Sequence, residues 1–362
     1  MKFATFTHLP WPEDNRPEDL YENHTQQVIL AEELGFHSAW LAEHHFTRYG
    51  LGSSPLVIAA NIMARTKKIR IGTAVLVPPL HHPVRLAEEV AVLDVLSGGR
   101  VEVGFGRGGP GYEFRGYNVD HGESQERFQE GIRVCEGLWS TPGFSYQGKY
   151  IQLDQANLVP PPMQKPHPPI YIAATRTQET LEFAASTGHP TIVGNVQDTE
   201  EALDLCRRFT EMSKESGHNV PISAIPFFRY VHVAETEAQA RQNTQGPLNW
   251  VLDILQWRRT FQQGSEVYKH LEDWRRDRTE LPMSYDHLYE NRAIIGTPEQ
   301  CLAKILELKK CRDRVLWGQL RLWRHGEPKG AAVPGVVRQG GNAPPGLAGG
   351  CLQREFLDLI CP

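Results

Sequence analysis

Hydrophobic and polar positions along this chain follow two periods that take turns. Ile69 to Val77 is apolar and β-branched, too short for a good helix, and predicts a buried strand. Pro83 stands where the first turn of a helix tolerates proline. Leu86, Val90, Leu93 and Leu96 then recur at helical spacing until Ser97-Gly98-Gly99 stops the helix. Val101, Val103 and Phe105 form the next strand, which runs into Gly104, Gly106, Gly108 and Gly109 around Arg107. Two strands of this kind joined by a helix make a βαβ unit, whose ligands gather at the carboxyl ends of its strands.

The same rhythm covers most of the chain. Strands are predicted at Lys2 to His8, Ser38 to Leu41, Pro169 to Ala174, Thr191 to Val193 and Ile222 to Val233. Helices are predicted at Leu20 to Leu34, Pro55 to Ala64, Glu123 to Leu138, Thr180 to Ser186 and Glu200 to Glu215. Phe144 to Leu153 resembles a hairpin insertion turning at Gln147-Gly148, and Val159 to Pro169 is a proline-rich connector. A β then α repeat implies a parallel sheet. Both a closed (β/α)8 TIM barrel and an open doubly wound sheet fit. The barrel is favoured, because polar candidates follow each of the first five strands rather than one switch point.

Two stretches depart from the rhythm. Residues 251–290 are charged and aromatic, with Trp257-Arg258-Arg259, Trp274-Arg275-Arg276 and Tyr285. They predict either a mobile lid over the barrel mouth or a helical surface excursion. Thr297-Pro298-Glu299-Gln300 then starts a helix that runs to Lys310. From 311 to 362 the composition turns to Gly, Pro and Arg, holds three of the six cysteines and shows no sustained period, so a disordered tail stands where the last β/α unit belongs. This predicts a reading-frame shift near Cys311. Shifted by one base from Leu316-Trp317-Gly318, the codons permit Phe-Gly-x-Asn-Phe-x-Phe-Gly-x-Met-Glu, a strand ending in glycines. From Lys329 they permit an amphipathic helix ending in Val-Met-Pro. Resequencing the gene tests this reading. A genuine tail would leave the barrel without its eighth strand, with two unpaired edges.

Composition narrows the function. The chain is 40% hydrophobic and 22% charged, with a net charge of −5, which gives no reason to expect nucleic acid or an anionic membrane surface. No apolar run approaches a membrane span, and Met1-Lys2-Phe3 opens directly into a strand without a signal peptide. Cys135, Cys206 and Cys301 sit singly on helical patterns, and no CxxC pair is present. A reduced, cytoplasmic protein is expected.

The candidate chemistry lies at the strand ends. His44-His45 follows a strand directly and is preceded by Glu43. Alternate residues there point in opposite directions, so one histidine enters the pocket while the scaffold holds the other. Histidine serves as a general acid or base near neutral pH. The rival readings are metal binding, with His81 or His82 as further ligands but no HxH or HExxH spacing, and a purely structural pair. Arg107 among glycines suits a bound phosphate; the alternative is a solvated arginine at a turn. Thr175-Arg176-Thr177, after the fifth strand and before a helix that holds Thr180, is a second phosphate candidate, or a plain N-cap. No Walker A motif is present, and no GxGxxG carries the dinucleotide fingerprint.

EHHF at 43–46, GTAVLVPPLHHPVRLAEEV at 72–90, GGRVEVGFGRG at 98–108 and GTPEQC at 296–301 resemble the bacterial luciferase-like, flavin-dependent monooxygenases in order and spacing. The resemblance runs from Met1 to Lys310 and resumes in the shifted frame. It implies a TIM barrel binding reduced FMN at the strands' carboxyl ends. Reaction with O2 would give a C4a-peroxyflavin that oxygenates a small organic substrate, and a separate flavin reductase would supply FMNH2. The resemblance makes His44 the pocket histidine, with His45 beside it as the second catalytic candidate. It puts a cis peptide at Ala74-Val75 under the flavin, next to Thr73. Arg107 would hold the FMN phosphate, aided by the Thr175–Thr180 segment, and Glu113 matches an acidic position after the arginine loop. The residues 258–290 would be the lid. The same fold also hosts F420-dependent oxidoreductases, and one chain of a heterodimeric luciferase is a non-catalytic flavin-binding or partner subunit. Family members commonly form dimers; here Ile58, Ile62 and Leu93 would supply a homodimer face or the core.

Overall fold

The computed structural model describes residues 1–174, 177–260, 283–312 and 319–320. In chain order the elements are β1 (Ala4–Thr7), α1 (Pro17–Glu33), β2 (Ser38–Leu41), α2 (Pro55–Arg65), β3 (Arg70–Thr73), α3 (Pro83–Ser97), β4 (Val101–Phe105), α4 (Gly111–Gly116) and α5 (Ser124–Ser140). A hairpin of β5 (Phe144–Gln147) and β6 (Gln152–Ala156) follows, then β7 (Ile170–Ala173), α6 (Gln178–Thr187), β8 (Thr191–Ile192) and α7 (Thr199–Glu215). The last elements are β9 (Tyr230–Val233), α8 (Glu237–Thr260), α9 (Tyr285–Asn291), β10 (Ala293–Gly296), α10 (Pro298–Arg312) and β11 (Gln319–Leu320).

The sheet is parallel, in the order β1-β2-β3-β4-β7-β8. A parallel bridge from Val193 to Phe227 carries it toward β9. On one edge β9 pairs with β10; on the other it pairs with β11, Gln319 opposite Tyr230, and β11 lies beside β1. This is the (β/α)8 barrel expected from the alternation, with the hairpin β5–β6 as an insertion between its fourth and fifth strands.

Burial explains the register. Phe6, Trp40, Ile192 and Phe228 fill the barrel interior, while Val28, Ile62, Val90, Phe128 and Phe209 pack the shell between sheet and helices. Phe6 pairs with Trp40, and Trp40 with Gly72. A Cβ on Gly72 would come within 2.4 Å of the Trp40 ring, so the absence of a side chain there makes room for the indole. Thr297 and Gln300 cap α10 reciprocally: the Thr297 amide donates to Gln300 Oε1 at 2.9 Å and the Gln300 amide to Thr297 Oγ1 at 3.3 Å. Cys135, Cys206 and Cys301 are buried thiols.

Several expectations are corrected. The strand expected over Ile69–Val77 ends at Thr73; the chain bends at Ala74, keeps a single bridge from Leu76 to Phe105, and passes into the 3-10 turn of Pro78–Leu80. The strand expected over Ile222–Val233 is reduced to β9, since Pro221 and Pro226 remove ladder donors and Ile222–Ala224 is a 3-10 turn. The break expected at 251 is absent: 251–260 continue the long helix α8, and Tyr285 opens α9. Residues 261–282 lie outside the described residues, so the expected lid is not described there. Of the tail, Cys311 and Arg312 end α10 and Gln319–Leu320 occupy the eighth strand position, so the expectation of two bare edges does not hold. The remainder, 313–318 and 321–362, lies outside the described residues. Ile62 and Leu93 are core, and Ile58 is half-buried against it; on α2 and α3 the exposed apolar residues are instead Val57, Val92, Val95 and Leu96.

His24 on α1 is buried, and burial pulls its imidazole down to about 4. The unfolded chain binds that proton from pH 6.5 downward and the folded chain resists it. Stability is therefore complete above about pH 6.5 and is lost as pH falls toward 4. The expected loss from this one group is roughly 2 kcal/mol between pH 7 and pH 5. Urea unfolding at the two pH values checks it; the difference should shrink in His24→Leu, and an unchanged difference would reject the assignment.

Candidate active site

The residue pattern after β2 decides how the site is built. Its extension, Ala42, Glu43, His44 and His45, keeps an extended alternation, so Glu43 and His45 turn to one side and His44 to the other. The Glu43 amide donates to Val75 O at 3.1 Å, and the Ala74–Val75 peptide is cis, as the resemblance implied. The end of β4 crosses this turn closely: a Cβ on Gly106 would meet Val75 Cγ2 at 2.4 Å.

Glu43 is buried and saturated. Its Oε1 accepts from His45 Nε2 and from His81 Nε2, each at 2.9 Å, and its Oε2 accepts from the Val77 amide at 3.0 Å. Both imidazoles must carry their proton on Nε2 to make these bonds. Burial pushes the Glu43 carboxyl up, but the hydrogen bonds from His45 and His81 outweigh it and hold it below the usual carboxylate range. Burial likewise lowers His81, yet the Glu43 hydrogen bond and charge raise it overall. His45 Nδ1 meets Tyr117 Oη at 3.1 Å. Both ring nitrogens of His45 are thus occupied, and the residue is 4% exposed.

His44 faces the other way. Its ring lies edge-on to Tyr49, centroids 4.6 Å apart, and near His8 at 5.6 Å, whose Nε2 is 3.0 Å from Tyr49 Oη. His44 Nδ1 is 3.4 Å from Glu113 Oε1, and the same oxygen accepts the His45 amide at 3.2 Å. Burial pushes His44 well below the ordinary histidine value, helped by the nearby Arg258 guanidinium. Glu113, buried on α4, is raised by burial and only partly brought back by Arg258. Glu113 therefore stands with the histidines rather than with Arg107.

Arg107 follows β4 in the loop, half-buried, and among the described residues it has no hydrogen-bond or ion-pair partner. A half-desolvated guanidinium of this kind suits an anion. Thr177 precedes α6 as its N-cap residue without a side-chain cap bond, leaving the first-turn amides to a ligand or water. Thr180 is buried and donates to Gln125 Oε1 at 3.2 Å, and the Thr73 hydroxyl both donates to and accepts from the Gly104 backbone at 3.0 Å. Both threonines brace the scaffold. Thr175 and Arg176 lie outside the described residues. His82 is the N-cap residue of α3, and among the described residues no group of three potential metal ligands forms.

A model of luciferase-like monooxygenases matches residues 1–314. This chain belongs to the luciferase-like monooxygenase family. Protein y4vJ of Sinorhizobium fredii is 32% identical over 85% of this chain and 86% of its own. The oxygenase component of the flavin-dependent trigonelline monooxygenase of Acinetobacter baylyi is 28% identical over 67% of each chain. Among solved structures, the monooxygenase RslO1 of Streptomyces bottropensis superimposes with a TM-score of 0.73 at 26% identity, over 89% of this chain and 94% of that one. The FMN complex of the oxygenating constituent of 3,6-diketocamphane monooxygenase from Pseudomonas putida gives 0.73 at 18%, over 88% and 91%. An F420-dependent secondary alcohol dehydrogenase gives 0.66 at 20%, over 88% and 93%. The last two show the fold alone.

Within this luciferase-like chain, the motif at 43–46 pointed to His44 and the motif at 72–90 to the cis peptide. Glu43 as the common acceptor of two histidines was signalled only by its position beside them. Tyr49, Tyr112 and Arg258 had no local signal, since they reach the pocket from three separate segments.

Proposed function

We propose that this chain is the oxygenase component of a two-component, FMN-dependent monooxygenase acting on a small organic substrate. The observation that carries this reading is the pairing, on one face of the barrel, of a half-buried His44 held below the ordinary histidine value with a half-buried Arg107 that has no partner among the described residues. The residues fit the group: Arg107 and the α6 amides behind Thr177 would hold the phosphate, and the Ala74–Val75 turn would lie under the ring system. Reduced FMN, once bound, supplies electrons to O2, so that one oxygen atom enters the substrate and the other leaves as water. His44 would move or hold a proton at the reacting centre, Glu113 would orient it, and the aromatic wall of Tyr49 and Tyr112 would exclude water. The name of the Acinetobacter relative, an oxygenase component, supports a separate reductase as the source of reduced FMN.

The F420 reading rests on a barrel neighbour and predicts hydride transfer without oxygen uptake. The non-catalytic partner reading leaves His44 without a task. We also place the protein in the cytoplasm, where the buried thiols suit a reducing environment, and we assign the exposed Val57, Val92, Val95 and Leu96 to a homodimer contact. No helix among the described residues is long and apolar enough to cross a membrane.

Anaerobic titration with reduced FMN, followed by an oxygen pulse, tests the reading. Arg107→Ala should weaken binding by about 1.5–3 kcal/mol, roughly 10- to 150-fold in Kd, the range for a hydrogen bond to a charged group. Unchanged affinity would reject the phosphate role. Binding without oxygen uptake would favour the hydride-transfer reading.

A further inference from the structure

The last turns of α8 place a guanidinium inside the histidine pocket. Arg258 is 8% exposed, its Nε donates to Tyr112 Oη at 2.8 Å, its Cζ lies 3.8 Å from the centre of the Tyr49 ring, and its Nη2 stands 3.7 Å from Glu113 Oε1. These three partners come from the loop after β2 and from α4, so one side chain ties α8 to both. We propose that Arg258 is a positioning residue: it supplies the positive charge facing Glu113, so that this buried carboxylate stays an acceptor for the His45 amide and the His44 ring and fixes the orientation of His44.

The alternatives fail on geometry. Tyr49 and Tyr112 can orient Arg258, but they bring no charge. The other groups facing Glu113 are His44, His45 and Glu43 of the β2 loop, Tyr112 on its own helix and Tyr117 just beyond it. Among them Glu43 is the other carboxylate, and it repels Glu113. His45 is held by Glu43 and Tyr117. Among the described residues, the fixed cation facing Glu113 is thus Arg258. Burial alone disfavours an ionised Glu113, and the arginine opposes that cost. The same charge disfavours a protonated His44. Removing it should let the pair bind a proton at higher pH, with Glu113 turning from acceptor to donor.

The catalytic consequence rests on the monooxygenase reading; the positioning itself does not, so the two are tested separately. Ring-labelled histidine in the ligand-free protein reports the tautomer and titration of His44 by long-range proton–nitrogen correlation. In the native chain His44 should be neutral at pH 7 with its proton on Nδ1. In Arg258→Gln that tautomer should be depleted and His44 should titrate at higher pH, while Arg258→Lys, which keeps the charge, should restore most of the native signal. Glu113→Gln, altered on the other side of the pair, should also lose the Nδ1 preference. His44 signals unchanged in Arg258→Gln, or equally changed in the Lys variant, would overturn the proposal and leave Arg258 as packing. With reduced FMN and O2, turnover in Arg258→Gln should fall on the order of 10- to 100-fold with flavin Kd unchanged, as expected for a displaced catalytic group. A moved His44 signal with no flavin binding even in the native chain would keep the positioning role and reject the monooxygenase reading.

Discussion

Glu43→Ala is expected to destabilise the fold by about 3–5 kcal/mol, the cost of breaking a buried charged cluster from one side. Three donors converge on this carboxylate: His45, His81 and the Val77 amide. With the carboxylate gone, the His45 imidazole and the Val77 amide are stranded in a dry interior, and the loop after β2 loses its tie to the turn after β3. Glu43→Gln keeps an acceptor for one histidine and should cost clearly less. Guanidinium unfolding measures both. The dependence on pH has a definite sign. The folded carboxyl lies below its unfolded value, so this stability is present above the ordinary carboxylate range and is lost as pH falls through the folded value. A loss below about 1 kcal/mol in the alanine variant, the worth of a typical neutral hydrogen bond, would show that the cluster does not brace the loop.

His44→Ala should lower turnover by roughly 10²–10⁴-fold, the usual contribution of a positioned acid or base, and leave FMN affinity within a few-fold. His44 is suited to accept a proton at neutral pH because burial and Arg258 keep it neutral there. If it acts as a base, the acidic limb of the native rate profile should fall below pH 6.5, and the variant should lose that limb. Product formed per reduced FMN consumed, with a substrate the native chain oxygenates, is the readout. A large loss of FMN binding with little loss of turnover at saturating FMN would assign His44 to cofactor binding and remove its chemical role. His45→Ala should behave differently: with His45 pinned by Glu43 and Tyr117, its loss should appear mainly in stability.

The barrel was legible because its evidence is local. Buried parallel strands read as short apolar runs, and crossover helices carry their own period, proline starts and glycine stops, as at Pro83 and Gly98. The errors fell where local pattern and chain geometry part company. The bend at Ala74 and the proline at Pro226 shortened apolar runs that periodicity alone reads as long strands. In α8, Gly246, Pro247 and the Trp257-Arg258-Arg259 cluster hid a helix that tertiary packing against β10 and the pocket sustains. The eighth strand position was invisible for another reason: two residues, Gln319 and Leu320, fill it through backbone pairing with β9, which needs no side-chain pattern.

For the site, the sequence by itself determined which residues stand at the strand ends: the Glu43-His44-His45 run, the Ala74–Val75 turn and Arg107 among glycines. Spacing within a strand is covalent, so the alternation that separates His44 from His45 could be read without a structure. Only the tertiary structure decided their roles. It brought His81 to Glu43, Glu113 to His44 and Arg258 across 145 residues to Glu113, because barrel closure places carboxyl ends from distant segments on one face. Those contacts set burial and local charge, and burial and charge determine whether a histidine is neutral and able to take a proton or locked in the scaffold.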